Sequence, residues 1–238
     1  MTETSSAKFD ASRAGDYAEQ SRIALAGYDA CHELSACMLS AAIGAGTAAR
    51  VLVVGAGGTA GEIIAAARLE PLWSFVAVDP SPPMLELARG FLGQSGVTDR
   101  VETVLGAVAD LDAEPSFDAA IMIGVLHHLP GDAAKRDILE QIARRLRPGA
   151  PMVIAGNYRA YASQPLLLAA WAARWRMKGA DADEVQAKMG KILQGAEPPV
   201  SEDAVIALLT AAGFETPLRF FASLFWGAWL ASREAAAT

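Results

Sequence analysis

The fold is decided by the stretch Val51-Leu52-Val53-Val54-Gly55-Ala56-Gly57-Gly58-Thr59-Ala60-Gly61, in which a short β-branched run opens into a glycine cluster. An amphipathic segment over 62–69 follows, and a second apolar run over 75–78 ends on Asp79. Glycines let the backbone turn tightly and approach a ligand closely, and the N-terminus of the following helix offers unpaired N–H groups. Because an acid at the end of the second strand can accept hydrogen bonds from ribose hydroxyls, this unit predicts a site for an adenosine-containing cofactor.

Strand and helix patterns alternate along the middle of the chain. The predicted strands are apolar runs at 50–54, 75–78, 101–105, 118–123 and 152–155, and the predicted helices lie at 62–69, 83–92 and 133–146. This alternation predicts an α/β fold with a parallel sheet and helices on both faces, since uninterrupted apolar strands are typical of strands buried on both sides. Two closing apolar segments, 214–222 and 224–232, predict an antiparallel pair.

These patterns divide the chain into four predicted regions. Residues 1–48 are expected to form an N-terminal helical lid, whose small and polar residues 1–8 are expected to be disordered. Residues 49–156 are expected to form the cofactor-binding core. Residues 157–200, rich in Trp and Arg, predict a helical cap inserted into it, and 201–238 predict a C-terminal helix with a β-hairpin that completes the core.

Composition and charge restrict the classes of function. The chain of 238 residues has a formal net charge of −7, which argues against a nucleic-acid partner because such partners favour a basic face. No apolar stretch is long enough to cross a bilayer and no N-terminal segment resembles a signal peptide, so a cytoplasmic protein without membrane contact is expected. Cys31 and Cys37 are accordingly expected to be free, buried thiols.

The glycine run alone does not choose between adenosine cofactors. Residues 55–60 satisfy G-x-G-x-x-G/A, so a nicotinamide-dependent dehydrogenase remains a competitor at this point. Three later segments add to the pattern: 79–85, which follows the acid with a turn and a helix start; 117–129, a buried strand that opens into a His-His-Leu loop; and 146–154, a helix end, turn and strand.

In this order and spacing, these segments resemble the S-adenosylmethionine-dependent methyltransferases of the class I, Rossmann-like type. The resemblance covers roughly 50–155 and returns at the C-terminus. It implies a seven-stranded, mostly parallel sheet with an antiparallel last strand, helices on both faces, N-terminal helices and a helical cap. It also implies S-adenosylmethionine as the cofactor, bound by Gly55, Ala56, Gly57, Asp79, Pro80, Met84, Ala107, Val108, Asp110 and Gly124.

Two positions depart from the family pattern. The family carries an acid two residues before the first glycine, where this chain has Val53, and that acid helps to hold the methionine ammonium group. The family also often has Gly-Asp after the third strand, where this chain has Gly106-Ala107. Backbone groups of Ala107 and Val108 are then expected at the adenine, with Asp110 as the candidate for its amine.

Reaction and lid residues are expected on the loops beside this site. His127, at the mouth of the fourth strand, suits a general base at neutral pH, and Tyr28, Asn157 and Tyr158 are further candidates for a catalytic role. Arg159, Tyr161, Trp171 and Trp175 are expected to form an aromatic and cationic lid that excludes water and shapes a small-molecule pocket. No cluster of residues predicts a metal site.

A narrower resemblance involves 26–29 and the C-terminal segment. Both are similar to the branch that contains the bacterial tRNA-uridine carboxymethyltransferase, which relies on an arginine in the cap to hold a carboxylated cofactor. Here the corresponding stretch carries Lys188 and Lys191, and lysine lacks the bidentate fork of arginine. Ordinary S-adenosylmethionine is therefore expected, with a small-molecule substrate in place of tRNA, in a monomer or homodimer.

Three activities follow from the sequence. The first is methyl transfer to a small molecule, as in secondary metabolism, with S-adenosylhomocysteine as product. The second is cyclisation of the cofactor by its own amino group into azetidine-2-carboxylate and methylthioadenosine, which requires a neutral amine and is motivated by Val53. The third and weaker alternative is the nicotinamide-dependent dehydrogenase.

Overall fold

The computed structural model describes residues 11–114 and 116–235, with the side chains of 11–16 excepted. Residues 1–8, expected to be disordered, lie outside this described part. Seven strands form the sheet: β1 (Ala49–Val54), β2 (Trp73–Asp79), β3 (Val101–Leu105), β4 (Ala119–Ile123), β5 (Pro151–Asn157), β6 (Leu218–Ser223) and β7 (Trp226–Ser232).

Eight α-helices surround the sheet in the described part of the chain. They are α1 (Ala11–Ala24), α2 (Tyr28–Ile43), α3 (Gly61–Leu69), α4 (Pro82–Gln94), α5 (Gly131–Arg145), α6 (Pro165–Met177), α7 (Ala182–Gly195) and α8 (Glu202–Ala211). Short turns connect the core strands and helices, so the loops that carry chemistry are fixed closely by the sheet.

The strand order is β3-β2-β1-β4-β5-β7-β6. Neighbouring strands from β3 to β5 pair in parallel, whereas β7 pairs antiparallel with both β5 and β6, so six strands share one direction. This is the Rossmann-like methyltransferase fold, and the predicted fold class is confirmed. The antiparallel β7 also distinguishes the sheet from the dinucleotide-binding order 3-2-1-4-5-6 of dehydrogenases.

The core lies on both faces of the sheet because successive residues of a strand point to opposite sides. In β1, Val51 and Val53 pack on the face covered by α2 and α3, whereas Leu52 and Val54 pack on the face covered by α5 and α8. All four are at most 4% exposed. The central strands are therefore buried on both sides, as their uninterrupted apolar sequences predicted.

The cap is less helical than its sequence suggested. A helical segment was predicted from residue 157 onward, but β5 continues to Asn157 and an irregular stretch precedes α6. Pro165 occupies the first turn of α6, where its missing N–H costs nothing, and a non-helical turn separates α6 from α7. Asp181 then begins α7 with a capping box, because its side chain accepts the Glu184 N–H at 2.9 Å while Glu184 accepts the Asp181 N–H.

The two cysteines differ in their surroundings. Cys31 is buried, and burial raises the pKa of its thiol to about 12. Cys37 is exposed, so the expectation of two buried thiols was wrong for this residue. The cysteines are six positions apart on α2, which is more than one and a half turns, and the two side chains therefore face different surroundings. None of the described helices is long and apolar enough to cross a membrane.

Candidate active site

The turn after β1 and the acid after β2 form one hydrogen-bonded unit. Asp79 Oδ2 accepts the backbone N–H of Gly57 at 3.0 Å, and Asp79 Oδ1 accepts that of Ser81 at 2.8 Å. Gly55 has a φ of +68°, a conformation that glycine adopts readily. The parallel register of Val54 with Val78 brings the two strand ends together, so the acid reaches the glycine turn directly.

Gly57 packs so closely against neighbouring residues that no side chain fits at this position. A Cβ at this position would lie 2.5 Å from Met84 Cβ and 2.7 Å from Asp79 Oδ2, distances at which atoms overlap. A Cβ on Gly55 would likewise collide with the side chain of Val125. The glycines therefore let the backbone of the turn approach Asp79, Met84 and the loop after β4.

Asp79 is a buried carboxylate. Burial raises the pKa of its carboxyl group, the two backbone hydrogen bonds lower it, and the nearby charge of Glu62 raises it. Each carboxylate oxygen retains a further lone pair beyond the backbone bond that it accepts. Asp79 is therefore oriented by the protein and still able to accept hydrogen bonds from a ligand with paired hydroxyls.

A cavity of 340 Å³ opens at the carboxyl ends of the central parallel strands. Ligands bind at this edge in open α/β sheets. It is lined by Tyr17, Val54, Gly55, Gly57, Val78, Asp79, Pro80, Ser81, Met84, Gly106, Ala107, Val108, Ala109, Ile123, Gly124, Val125, His128, Leu129, Ala134, Asp137, Ile138 and Gln141. Most of the predicted cofactor residues are thus brought together here.

Two predicted cofactor residues lie outside this cavity lining. Ala56 is fully buried and packs against the apolar cluster on the α2 and α3 side. Asp110 is exposed, and its Oδ2 accepts the N–H of Ala107 at 2.8 Å, so the carboxylate folds back over its own loop. Ala107 and Val108 line the cavity, and Asp110 stabilises their loop through its hydrogen bond to Ala107.

Only one of the two histidines after β4 lines the cavity. His128 lines it, whereas His127, the predicted base, is 5% exposed and does not. Burial, together with the nearby His128 and Lys135, lowers the pKa of His127 well below its ordinary value. His127 is therefore neutral at neutral pH.

The hydrogen bonds of His127 define what it can offer a substrate. Its Nδ1 accepts the backbone N–H of Asn157 at 3.4 Å. In a neutral imidazole the other nitrogen then carries the hydrogen, so Nε2 is a donor. This geometry does not suit the expected role of general base, and it leaves His127 as a neutral hydrogen-bonding group.

A cluster of polar groups surrounds His127 between β5, β7 and the cap. We call it the Asn157 cluster; its members are His127, Asn157, Tyr161 and Trp226. Asn157 Nδ2 donates to the hydroxyl of Tyr161 at 2.7 Å, and the ring of Trp226 stands edge-on to His127 at 5.3 Å. Asn157 Oδ1 and Trp226 Nε1 are buried without a hydrogen-bond partner among the described residues. Buried polar atoms normally have partners, so a donor and an acceptor are available here to a ligand.

The Asn157 cluster adjoins the cavity. The outer edge of the Trp226 ring lies 3.5 Å from where a Cβ of Gly124 would stand, and Gly124 lines the cavity. Asn157 and Trp226 are paired across β5 and β7, so both side chains leave the same face of the sheet. The cluster is thus beside the cofactor region and under the cap.

Tyr158 does not reach this region. Because neighbouring residues of a strand point to opposite faces, its side chain packs on the α5 and α8 side, edge-on to Trp229 at 5.1 Å. Arg159 stacks over the Tyr158 ring at 4.6 Å and donates to its hydroxyl. The catalytic role expected for Tyr158 and the lid role expected for Arg159 are therefore not supported by where these side chains lie.

The remaining predicted lid residues build the inside of the cap. Tyr161 and Trp171 pack with Phe225, and burial raises the pKa of Tyr161 to about 12. Trp175 packs with Ile23 and Val185. None of these three predicted side chains lines the cavity. Trp171 and Trp175 attach the cap to α1, and Tyr161 belongs to the Asn157 cluster.

The N-terminal helices also contribute to the site. Tyr28, a candidate for a catalytic role, does not line the cavity, and its hydroxyl bonds that of Thr59. Tyr17 lines it instead, with its ring seated against Gly58. The α5 residues at the cavity were missed as well, since a helix face that closes a site has the same sequence pattern as one that covers a core.

Comparisons with known proteins agree with this architecture. A family model described as a methyltransferase domain matches residues 52–152. No curated protein matches the chain. The core of the chain, which holds the glycine turn and Asp79, is therefore similar to a methyltransferase domain over these residues.

Solved structures share the fold at low sequence identity. An O-methyltransferase family protein from Burkholderia thailandensis has 17% identity and a TM-score of 0.61, over 93% of this chain and 64% of that one. An O-methyltransferase family 2 protein from Planctomyces limnophilus, in complex with apigenin, has 18% identity and a TM-score of 0.59, over 78% of this chain and 50% of that one. An N,N-8-amino-8-demethyl-D-riboflavin dimethyltransferase from Streptomyces davawensis has 19% identity and a TM-score of 0.58, over 87% of this chain and 57% of that one. The chain thus spans between half and two thirds of the length of these neighbours.

Proposed function

We propose that this protein transfers a methyl group from S-adenosylmethionine to a small, uncharged acceptor. The observation that carries the proposal is the cavity at the carboxyl edge of the sheet, where Asp79 is tied to Gly57 and no side chain fits at position 57. A buried acid beside an open glycine turn suits a nucleoside with free ribose hydroxyls.

The cavity residues divide into two groups that fit this cofactor. Asp79 accepts the ribose hydroxyls, while Pro80, Met84 and the backbone of 106–109 enclose the adenine. The lining is mainly apolar, with a few oriented polar groups, which is typical of cofactor sites. The cofactor itself supplies a methyl group that is already activated by its sulfonium.

The Asn157 cluster supports an uncharged acceptor. Its members are neutral: His127 is uncharged at neutral pH, and the others are an amide, a phenol and an indole. Asn157 Oδ1 and Trp226 Nε1, which have no hydrogen-bond partner in the described part of the chain, provide one acceptor and one donor in an otherwise aromatic setting. With the methyl already activated, the protein needs mainly to orient the acceptor in line and to exclude water.

A small molecule is a better substrate than RNA for this surface. The net charge is −7, and phosphate binding requires a basic face. The neighbours named for a riboflavin derivative and for an apigenin complex support a planar small molecule. The tRNA-modifying branch, the cytoplasmic location, and the monomer or homodimer stay predictions.

Incubation with S-adenosylmethionine, followed by mass spectrometry of the products, tests the proposal. We expect S-adenosylhomocysteine to form only when an acceptor from a panel of phenols, flavins and aromatic amines is present. Methylthioadenosine released without an acceptor would instead indicate cofactor cyclisation. Unchanged cofactor with every acceptor, in a protein that binds it, would contradict methyl transfer to this class.

A further inference from the structure

β1 offers no charge to the methionine end of the proposed cofactor. Val53 is 1% exposed and packs with Leu39 and Ile63 in the apolar cluster between the sheet and α2. Asp79 is engaged with two backbone N–H groups at the ribose position. S-adenosylmethionine carries an ammonium group, and a cation that leaves water needs a compensating partner. A further acid close to the glycine turn would supply such a partner.

Glu62 is such an acid. It is the second residue of α3, directly after the glycine turn, and it is 8% exposed. Its Oε2 lies 3.3 Å from His32 Nε2. Within the described part of the chain, no group donates a hydrogen bond to its other oxygen, Oε1. A buried carboxylate with one unused oxygen is thus present on the side of the turn that Val53 leaves apolar.

His32 links Glu62 to the backbone of α2, because one ring nitrogen contacts Tyr28 and the other contacts Glu62. His32 Nδ1 lies 2.8 Å from the carbonyl oxygen of Tyr28, which can only accept, so Nδ1 carries a hydrogen. His32 Nε2 lies 3.3 Å from Glu62 Oε2, so the ring is held against that carboxylate oxygen. This contact orients Oε2 and leaves Oε1 as the oxygen that can turn to a ligand.

The acid is connected to the cavity through the glycine turn. The Thr59 hydroxyl bonds the Tyr28 hydroxyl, and a Cβ on Gly61 would stand 3.4 Å from both Thr59 Oγ1 and His32 Cδ2. Tyr17 lies on Gly58 and lines the cavity, and the charges of both Glu62 and Asp79 help burial to raise the pKa of its hydroxyl. Tyr17 thus joins the cavity to the glycine turn at Gly58, four positions before Glu62, which does not itself line the cavity.

We propose that Glu62 supplies the negative charge that holds the ammonium group of S-adenosylmethionine, the role that an apolar β1 cannot fill. This rests on the proposed function, since it presumes that cofactor. His32 acts as a positioning residue that orients the carboxylate. In this arrangement the acid lies on the helix after the glycine turn and not on the strand before it. With the ammonium group held by an acid, the neutral amine that cofactor cyclisation requires is no longer expected.

Two ligands that differ in the amino-acid portion test this assignment. S-adenosylhomocysteine carries the ammonium and carboxylate, whereas methylthioadenosine has the same adenosine and a thioether without either group. Calorimetric titration of Glu62→Gln is expected to show S-adenosylhomocysteine binding weakened about 10- to 100-fold, as for loss of a charged hydrogen bond. Methylthioadenosine binding is expected to change less than about 2-fold.

Glu70→Gln is the matched control. Glu70 is a buried acid at the other end of α3, where it accepts the N–H of Gly46 at 2.9 Å and the hydroxyl of Ser40. Its loss should leave the ratio of the two affinities as in the wild type. Glu62→Asp keeps the charge but withdraws it by one methylene, so it should give the same selectivity with a smaller loss and serves if Glu62→Gln does not fold.

The outcomes separate the two proposals. Unchanged S-adenosylhomocysteine binding by folded Glu62→Gln, or equal weakening of both ligands, would overturn the assignment of Glu62. Failure of the wild type to bind either ligand would instead overturn the cofactor, and with it the proposed function. Selective weakening in Glu62→Gln alone supports both.

Discussion

The carboxylate of Asp79 accepts the backbone N–H of Gly57 at 3.0 Å, so the end of β2 is tied to the turn that follows β1. The same carboxylate accepts the N–H of Ser81, at the start of α4, through its second oxygen. Three segments therefore meet on one side chain. The glycine turn and the acid act as a unit, and changes to either should affect the same ligand.

Gly57→Ala should block the site. Its Cβ would lie 2.5 Å from Met84 Cβ and 2.7 Å from Asp79 Oδ2, so either the turn or the acid must move. We expect S-adenosylhomocysteine binding to weaken at least about 100-fold in calorimetry, since a site that moves loses both its shape and its hydrogen bonds. Unaltered affinity would show that the ligand does not approach this turn.

Gly90→Ala is the control for that substitution. Gly90 lies within α4, and nothing stands within 4 Å of where its Cβ would be. Alanine favours helix over glycine by about 0.5–1 kcal/mol, so this variant should be slightly more stable in urea unfolding. Its ligand affinity should equal that of the wild type.

Asp79→Asn should weaken every adenosine ligand. The amide cannot accept on both sides, so one of the N–H groups of Gly57 and Ser81 would face another donor. Loss of charged hydrogen bonds predicts about 10- to 100-fold weaker binding of both S-adenosylhomocysteine and methylthioadenosine. Selective loss of one ligand would contradict the ribose role of Asp79. Asp79→Asn thus differs from Glu62→Gln, which is expected to weaken the binding of S-adenosylhomocysteine alone.

The core was predictable because its signals are local. β3 was predicted at its observed limits, and Ser201 begins α8 by accepting the N–H of Ala204 at 3.2 Å, as a serine before an apolar helix suggests. Glycine positions and Asp79 follow from backbone needs that one stretch of sequence reveals. The placement of Gly57 against Asp79 could therefore be anticipated from the strand–turn–helix pattern.

The rest of the site depends on contacts between distant segments. Asn157 and Tyr158 were grouped together, although strand alternation sends them to opposite faces once β5 is known to reach residue 157. The tautomer of His127 is set by a backbone N–H thirty positions away. Glu62 was read as part of an amphipathic helix, because nothing local signals that His32 will bind it.

Arg174 should control how firmly α1 closes over the cavity. It donates to the carbonyl oxygens of Ile23 at 2.7 Å and Arg22 at 2.6 Å, at the C-terminal end of α1. Cationic donors stabilise such helix ends, so Arg174→Ala should destabilise the protein by about 1–2 kcal/mol. Deuterium exchange of amides over 17–24 should become faster.

Arg176→Ala provides the comparison for the cap. Arg176 is exposed on the same helix, so its removal should leave amide exchange in α1 unchanged. Equal exchange in the Arg174 and Arg176 variants would mean that the cap does not hold α1 through this side chain.

His127 should make the protein sensitive to mild acid. Its pKa is lowered in the folded protein, so below the ordinary value of 6.5 the unfolded chain takes up a proton that the folded chain does not. The free energy of unfolding should therefore fall as pH falls, by up to about 1.4 kcal/mol per pH unit from this group. His127→Gln removes this dependence, and urea unfolding between about pH 7.5 and about pH 5.5 measures the difference. Parallel pH curves for the two proteins would contradict the burial of a neutral His127.

Equilibrium titration of the wild-type protein with S-adenosylhomocysteine and, separately, with NADH decides which class of cofactor the glycine turn binds. The fold, the glycine turn and Asp79 predict a single site for S-adenosylhomocysteine, lost in Asp79→Asn, with no measurable binding of NADH. Binding of NADH without binding of S-adenosylhomocysteine would contradict the account and return the glycine turn to a dinucleotide cofactor.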